Sequence, residues 1–394
     1  MKRIWLSGLV VLVLVPFFTP ARVHAQQTVR QAARTLLGGN FTEAEIDSVA
    51  SVFAQQIATF PVGTSSGGFK FEINPKTFVA TPRRDDFGPF FAERASTLGG
   101  GFTLAVNAQA TTFETFEGRN LRNGDLRSRT IIGNRLVDID RFTFNMRTQT
   151  TTLVATAAVD DHADVSVVVP LVRTSLNGTA SSLDFATGVR VDRIVDASAA
   201  GFGDIVLRGK WNFYPGLAAA AEVFLPTGST EQLAGTGHYR FKPMFVASTK
   251  VGTFSPHVNV GYTFGGRGTK VTTNGLLLPT VEYAEPGTEF NYTLGAEVAP
   301  KGPSTLFVDL IGRSMRSVAR FDGGQAMIQE PGLPALPIET FIARSGTLNM
   351  QLGAIGGRAL VLQKGLISAA ILFPLSDGGL KAGLTPVLGF EWAF

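Results

Sequence analysis

The final stretch of the sequence, residues 384–394, alternates strictly between two kinds of side chain. One register is apolar and aromatic and ends in Phe390, Trp392 and Phe394, while the other is small or charged and contains Glu391. Side chains alternate across a β-strand, so this pattern predicts a strand with one apolar face. The last residues of a soluble domain usually fray in water, whereas a transmembrane barrel places such aromatics at the membrane interface. We therefore expect a membrane-spanning strand, with the last strand of a soluble sandwich as the alternative.

The N-terminal region predicts a secretory signal at residues 1–25. Lys2 and Arg3 precede an apolar stretch at 4–18, and Val23 and Ala25 stand at the sites that a signal peptidase reads. An uncleaved membrane anchor is the alternative. No other stretch approaches the roughly 18 uninterrupted apolar residues that a membrane helix needs. A membrane-embedded form of this chain would therefore have to be a barrel.

Composition excludes several classes of site. The chain has no cysteine, which excludes disulfides, thiolate metal sites and cysteine nucleophiles. Of its 35 basic residues, three lie in the predicted signal, so 35 minus 3 leaves 32 against 31 acidic residues. This balance gives no reason to expect nucleic acid as a partner. A glycine count of 44 and a charged fraction of 17% suit an all-β protein.

Residues 26–63 form the part of the sequence with a helical pattern. Thr42 and Glu45 have the spacing of a capping box, and apolar residues follow at intervals of three and four, namely Ile46, Val49, Phe53, Ile57 and Phe60. We predict an N-terminal helical segment in the periplasm. Insertion into a barrel lumen and a contact surface for a partner are the alternatives.

Residues 64–100 are irregular and combine charge with aromatic side chains. The charged residues that stand beside Phe87, Phe90 and Phe91 are Arg83, Arg84, Asp85, Asp86 and Glu93. Such a segment cannot be a lipid-facing strand. We predict a plug that enters the barrel, with a surface linker as the alternative.

From residue 101 to residue 394 the sequence predicts a transmembrane antiparallel β-barrel of about twelve strands, with fourteen as the upper bound. Apolar and polar residues alternate along each predicted strand, and the connections alternate between short turns and long polar loops. The long loops include 114–139, 265–288 and 314–346. Bacterial outer-membrane barrels have short turns in the periplasm and long loops outside, so we expect the cell outer membrane as the location.

If the apolar register faces lipid, charged residues of the opposite register face the lumen. They fall into two predicted walls, one with Asp204, Arg208, Lys210, Glu222, Arg240 and Lys242, and the other with Glu297, Asp309, Arg313 and Glu391. Such charges can pair across strands and fill the interior. In a conducting barrel they would instead set the preference for an ion or solute. The sequence alone does not separate these two interpretations.

No catalytic or cofactor-binding constellation emerges from the sequence. His238, with Ser229 and Glu231 nearby, is better explained as a solvated loop histidine than as part of a hydrolase site. The acidic residues around His162 fit a polar turn better than a metal site. Glycine motifs for nucleotides are absent from any usable strand-to-helix context. We expect a protein that is not an enzyme and needs no cofactor or metal.

Three stretches of sequence suggest a family. The run GFGDIVLRGKWNFYPGLAAAAEVFLPTGS at 201–229 resembles the "MetA-pathway of phenol degradation" group of outer-membrane transporters, as do DVSVVVPLVRTSL at 164–176 and SPHVNVGYTFGG at 255–266. This family is distantly similar to the long-chain fatty acid and aromatic hydrocarbon channels. The resemblance implies passive uptake of a small hydrophobic compound and an N-terminal plug.

These observations predict a passive outer-membrane channel for a small solute that is hydrophobic or aromatic. The alternative is a plugged structural barrel whose long loops bind a partner. The expected partners are outer-membrane lipid, the solute and the barrel assembly machinery, since a terminal phenylalanine such as Phe394, two residues after Trp392, resembles the signal which that machinery recognises.

Overall fold

The structure is a computed structural model that describes most of the chain. The described residues are 28–37, 43–61, 63–64, 68–73, 80–82, 87–123, 125, 128–132, 135–267, 270–273, 279–282, 286–300, 303–328, 336–361 and 364–394. The predicted signal at 1–25 and the charged residues Arg83, Arg84, Asp85 and Asp86 lie outside them.

Twelve antiparallel strands form a closed transmembrane barrel, which confirms the predicted fold class and strand number. They are β1 (Phe102–Phe116), β2 (Arg135–Ala158), β3 (Ala163–Asp184), β4 (Ile205–Tyr214), β5 (Leu217–Leu225), β6 (Arg240–Ser248), β7 (Phe254–Arg267), β8 (Pro286–Val298), β9 (Ser304–Ile328), β10 (Leu336–Val361), β11 (Gly365–Pro374) and β12 (Thr385–Ala393). Each strand pairs with its neighbours in sequence, and the ring closes where β12 pairs with β1, for example Trp392 with Leu104.

The two registers of each strand face opposite environments. On β12 the Leu388 side chain is 62% exposed on the outer surface, while Glu391 is 5% exposed and faces inward. On β4 the Trp211 side chain is 58% exposed, whereas Lys210 beside it is buried. Exposed apolar side chains on the outside of a barrel are the surface that lipid covers. The alternation of apolar and polar residues therefore sets the lipid-facing and inward faces.

Several predicted loops are strand in the structure. The predicted loop at 314–346 holds most of the hairpin between β9 and β10, paired as far as Ile328 and Leu336. The strand Arg190–Phe202 pairs with the outer part of β3, and short strands at Arg119–Asn120, Ser128–Ile132, Lys270–Thr273, Pro279–Glu282 and Leu380–Ala382 lie in other connections. Beyond the membrane the outward face of a strand need not be apolar, so these sequences lack the lipid-facing pattern that marks a membrane strand.

Two helices lie inside the barrel at the end where the strands are long. They are α1 (Val29–Leu37) and α2 (Glu43–Ala58). The Phe53 ring packs edge-on against Phe116 at 5.2 Å and near Phe144 at 5.9 Å, and Leu380 donates its backbone N–H to Gln56 Oε1 at 2.7 Å. No helix among the described residues is long and apolar enough to cross a membrane.

This position differs from the predicted periplasmic segment at residues 26–63. The helices occupy the end opposite the short turns, which corresponds to the lumen-inserted alternative. Their described apolar side chains are covered by inward-facing residues of the wall, including Phe113, Met146, Leu176 and Leu348. An amphipathic helix needs such a partner to bury its apolar face, and here the wall itself supplies it. Thr42 of the predicted capping box lies outside the described residues.

Residues 68–73 and 87–101, named here the plug segment, occupy the inside of the barrel at the short-turn end. Phe69, Phe87 and Leu98 are fully buried and pack against Leu366 and Ala393 of the wall. The strand Phe71–Ile73 pairs with Ala80–Pro82 in a separate two-stranded sheet. The described part of the interior is thus occupied at one end by helices and at the other by the plug segment.

Candidate functional site

Polar side chains on the wall hold the backbone of the plug segment. Carboxylates accept its backbone N–H groups: Glu391 from Gly68 at 2.6 Å, Asp309 from Phe91 at 3.0 Å and Asp164 from Leu98 at 3.0 Å. Cations donate to its carbonyl groups, Lys210 to Ser96 at 2.8 Å and Arg358 to Phe87 at 2.7 Å. Hydrogen bonds to charged partners are stronger than neutral ones. These contacts therefore fix the plug segment to the wall from several sides.

Four of the ten predicted lumen-lining residues face the plug segment or a wall histidine rather than open space. Lys210, Asp309 and Glu391 bind the plug backbone as described, and Glu297 lies 3.3 Å from His257 Nε2. All four are buried. Their placement corresponds to the interpretation in which lumen charges fill the interior.

A serine, a histidine and a glutamate meet at the same end of the barrel, in a cluster that the sequence pattern does not predict. Ser248 Oγ lies 2.9 Å from His257 Nδ1, and His257 Nε2 faces Glu297. A hydrolase needs a serine open to substrate, but Ser248 Oγ accepts the backbone N–H of Ala95 at 2.9 Å. In this arrangement the hydroxyl group holds the plug segment.

Glu93 is the one predicted plug charge among the described residues. Its backbone N–H donates to Asn259 Oδ1 at 2.7 Å, and Asn259 Nδ2 donates back to the Glu93 carbonyl at 2.9 Å. Its carboxylate approaches Arg208 at 3.9 Å. Glu93 therefore joins the plug segment to the charged wall.

A cavity of about 160 Å³ lies between the end of α2 and the plug segment. Ile57 and Phe60 line it at the helix end, and Phe91 and Glu93 line it at the plug end. The wall contributes the other six predicted lumen residues, Asp204, Arg208, Glu222, Arg240, Lys242 and Arg313, together with apolar side chains such as Val172, Phe224 and Met244. The structure brings these six residues together, while their role in solute passage stays a prediction.

Most charges around the cavity are paired. Glu222 binds Arg208 at 2.7 Å and Lys242 at 2.5 Å. Glu289 accepts two hydrogen bonds from Arg313, at 2.7 and 2.8 Å. Arg313 also donates to the Thr59 carbonyl at 2.9 Å, just beyond the C-terminus of α2, where a cation is favourable. Arg313 thus ties the helix end to the wall.

Asp204 binds a loop rather than another charge. This loop, at residues 228–236, folds into the barrel. The Asp204 carboxylate accepts the backbone N–H groups of Gly228 and Thr236, at 3.1 and 2.9 Å, and also binds the Thr236 hydroxyl. Thr227 Oγ1 donates to the Gly203 carbonyl and accepts from Ile205, both at 2.9 Å. The Gly-Asp and Leu-Pro-Thr-Gly motifs at 203–204 and 225–228 therefore bind each other.

A known family matches the part of the chain that contains these two motifs. The family described as "Putative MetA-pathway of phenol degradation" matches residues 127–319. This match confirms the predicted family resemblance. It spans β2 to the middle of β9 and includes the contact between Asp204 and Gly228. No curated protein matches the sequence.

Several solved outer-membrane barrels are similar to this chain at low identity. An outer membrane channel from Pseudomonas putida F1 has 12% identity and a TM-score of 0.42, with 76% of this chain and 98% of that chain covered. The TodX monoaromatic hydrocarbon channel, as a deltaS2 mutant, has 10% identity, coverage of 77% and 93%, and a TM-score of 0.41. A FadL homologue from Pseudomonas aeruginosa has 9% identity, coverage of 76% and 92%, and a TM-score of 0.38.

Proposed function

We propose that the protein is a passive channel of the cell outer membrane for a small solute with an apolar part. The observation that carries the proposal is the 160 Å³ cavity at mid-barrel, lined by both apolar and charged side chains. A site that binds a small molecule combines apolar walls with a few polar groups that orient the ligand. The family match and the named activities of the similar barrels support the same class of function.

Solute flux through this barrel requires the plug segment to move. Residues 87–98 cross the interior between the cavity and the short turns, and wall side chains hold their backbone. These contacts are polar and reversible, and water can replace each of them. The plug segment is therefore proposed as the gate.

The channel is tested by conductance in planar bilayers. We expect intermittent conductance from the intact protein and larger, steadier conductance after deletion of residues 26–100. Baseline current from both forms would refute the proposal. Refolding of both forms is checked on gels, because a folded barrel migrates differently before and after boiling.

The gate can be locked with an introduced disulfide, because the chain has no cysteine of its own that would compete for it. Ala95 of the plug segment packs with Ala218 and Val246 of the wall in one buried cluster. We expect the double variant Ala95→Cys, Ala218→Cys to lose conductance on oxidation, since a disulfide would fix the plug segment to β5, and to regain it on reduction. The two single variants are the controls, and a cross-linked protein that still conducts would contradict the gate.

A closed barrel that binds a partner is the second candidate, and one observation favours it. The helices and the long-strand end of the wall share a continuous apolar cluster that includes Phe53, Phe116, Phe144 and Leu348. Such a core resists opening. This candidate predicts baseline conductance together with loss of partner binding when the hairpin between β9 and β10 is shortened.

A further inference from the structure

Arg240 differs from the other described cations of the cavity in having no ion pair. Its side chain is 4% exposed, and it lines the cavity at the start of β6. Its Nε and Nη2 atoms are buried and have no hydrogen-bond partner among the described residues. Burial of a charged group without a partner is costly. The unpaired edge of Arg240 is therefore a candidate for binding a ligand.

Two other arginines in the same protein show what this edge binds. Nε and Nη2 are the two donors on one side of a guanidinium, and together they match the two oxygens of a carboxylate. Arg313 uses them on Glu289 at 2.7 and 2.8 Å. Arg320 uses them on Glu117 at 3.1 and 2.7 Å. The corresponding edge of Arg240 is buried and unpaired.

The described acidic residues of the cavity wall have partners other than Arg240. Glu222 binds Arg208 and Lys242, and Glu289 binds Arg313 with both oxygens. Asp204 is occupied by the loop at residues 228–236. These fixed negative charges also oppose a ligand of high negative charge. The surroundings therefore favour a ligand with a single negative charge.

The rest of the cavity fits an apolar body. The Phe224 ring lies 4.3 Å from the Arg240 guanidinium carbon and covers one of its faces, a stacking that holds the guanidinium in place. Ile57, Phe60 and Met244 add apolar surface. A protein cavity of about 150 Å³ holds one benzene molecule, so 160 Å³ suits one ring with a small substituent.

From these observations we infer that the solute of the proposed channel is a small organic acid, one ring in size, whose carboxylate binds the free edge of Arg240. The inference rests on the proposed function, because it treats the cavity as a binding site on the path of the solute through the barrel. It makes Arg240 a specificity-determining residue. The neutral and cationic analogues of the same ring bind less well, since they lack the two charged oxygens that match the paired donors.

The test uses benzoate as the probe and calorimetry on the folded protein in detergent. We expect benzoate to bind at least ten times more tightly than benzamide, which has the same shape and no charge. Arg240→Met abolishes this difference, and Arg240→Lys retains part of it because the charge remains without the paired donors. Arg147→Met, at an exposed position outside the cavity, serves as the matched control and binds benzoate as the unaltered protein does.

Equal binding of benzoate and benzamide by the unaltered protein, or no binding of benzoate, would overturn the inference, and this comparison does not depend on the folding of a variant. Unchanged benzoate binding by Arg240→Met would overturn it as well. Flux of both probes into proteoliposomes separates the two proposals. Flux without preference for benzoate would support the channel and contradict the acid specificity. Tight benzoate binding without flux would support the Arg240 site and contradict the channel.

Discussion

At the scale of single residues, Asp204 shows how one inward carboxylate fixes a loop. It immediately precedes β4 and accepts hydrogen bonds from two positions in the loop between β5 and β6. That loop carries Leu233 and Ala234 into the apolar cluster around the helices. One carboxylate therefore holds a segment that would otherwise extend into water.

We expect Asp204→Ala to release this loop. Loss of hydrogen bonds to a charged group costs about 2 kcal/mol, which corresponds to roughly 30-fold faster amide exchange at Gly228 and Thr236 when the loop opens locally. Hydrogen exchange read by mass spectrometry measures the change. Asp196→Ala, at an exposed position, is the control, and equal protection in both variants would contradict the pinning role.

The inward position of such residues could be predicted from sequence, but their partners could not. Strand alternation fixes which side chains face inward, and it placed Asp204, Arg208 and Arg240 on one face. Whether an inward charge meets the cavity, the plug segment or a loop depends on how the connections fold back. Asp164, Asn259 and Arg358, which bind the plug segment, could have been found by extending the same alternation to every strand.

At the scale of elements, α2 depends on the wall for its position. Its residues Phe53 and Ile57 are buried, as the predicted stripe requires. The sequence could not predict the covering partner, because Phe113, Phe116 and Phe144 lie in or near a stretch that resembles a polar loop. The apolar spacing that predicts the helix lies within a few residues of sequence. The wall residues that cover the helix come from distant strands and are brought together only when the barrel closes.

We expect Phe53→Ala to undock the helices while the barrel remains folded. A phenylalanine truncated to alanine in a packed core costs about 3–5 kcal/mol, and here the loss falls on the contact of α2 with Phe116 and Phe144. Trypsin cleavage after Arg34 should become faster, and mass spectrometry measures its rate. Phe185→Ala, on an exposed side chain, is the matched control, and slow cleavage in both variants would show that Phe53 does not hold the helix.

At the scale of the whole molecule, the outer surface is a band of apolar side chains that only a membrane would cover. Trp211 on β4 and Trp392 on β12 both lie in the outward register. The sequence predicted this surface well, because alternation with lipid outside is a local signal repeated in every strand. It did not predict how far the strands continue into water.

Tryptophan fluorescence tests the orientation of this surface. In liposomes that contain brominated lipids we expect strong quenching of the emission of Trp211 and Trp392, since both rings contact acyl chains. Acrylamide in the water phase should quench weakly. In protein without residues 1–25, which contain Trp5, Trp211→Phe isolates the signal of Trp392 on the terminal strand. Efficient acrylamide quenching with no effect of bromine would contradict a membrane barrel.

The pairing of β12 with β1 has a consequence for the order of assembly. The helices and the plug segment precede every barrel strand in the chain and yet lie inside the ring. The wall stays open along one line until Ala393 pairs with Thr103, a contact between residues far apart in sequence, and such contacts form late. We therefore expect the N-terminal segments to enter sideways through this gap, so that the barrel is filled first and sealed afterwards.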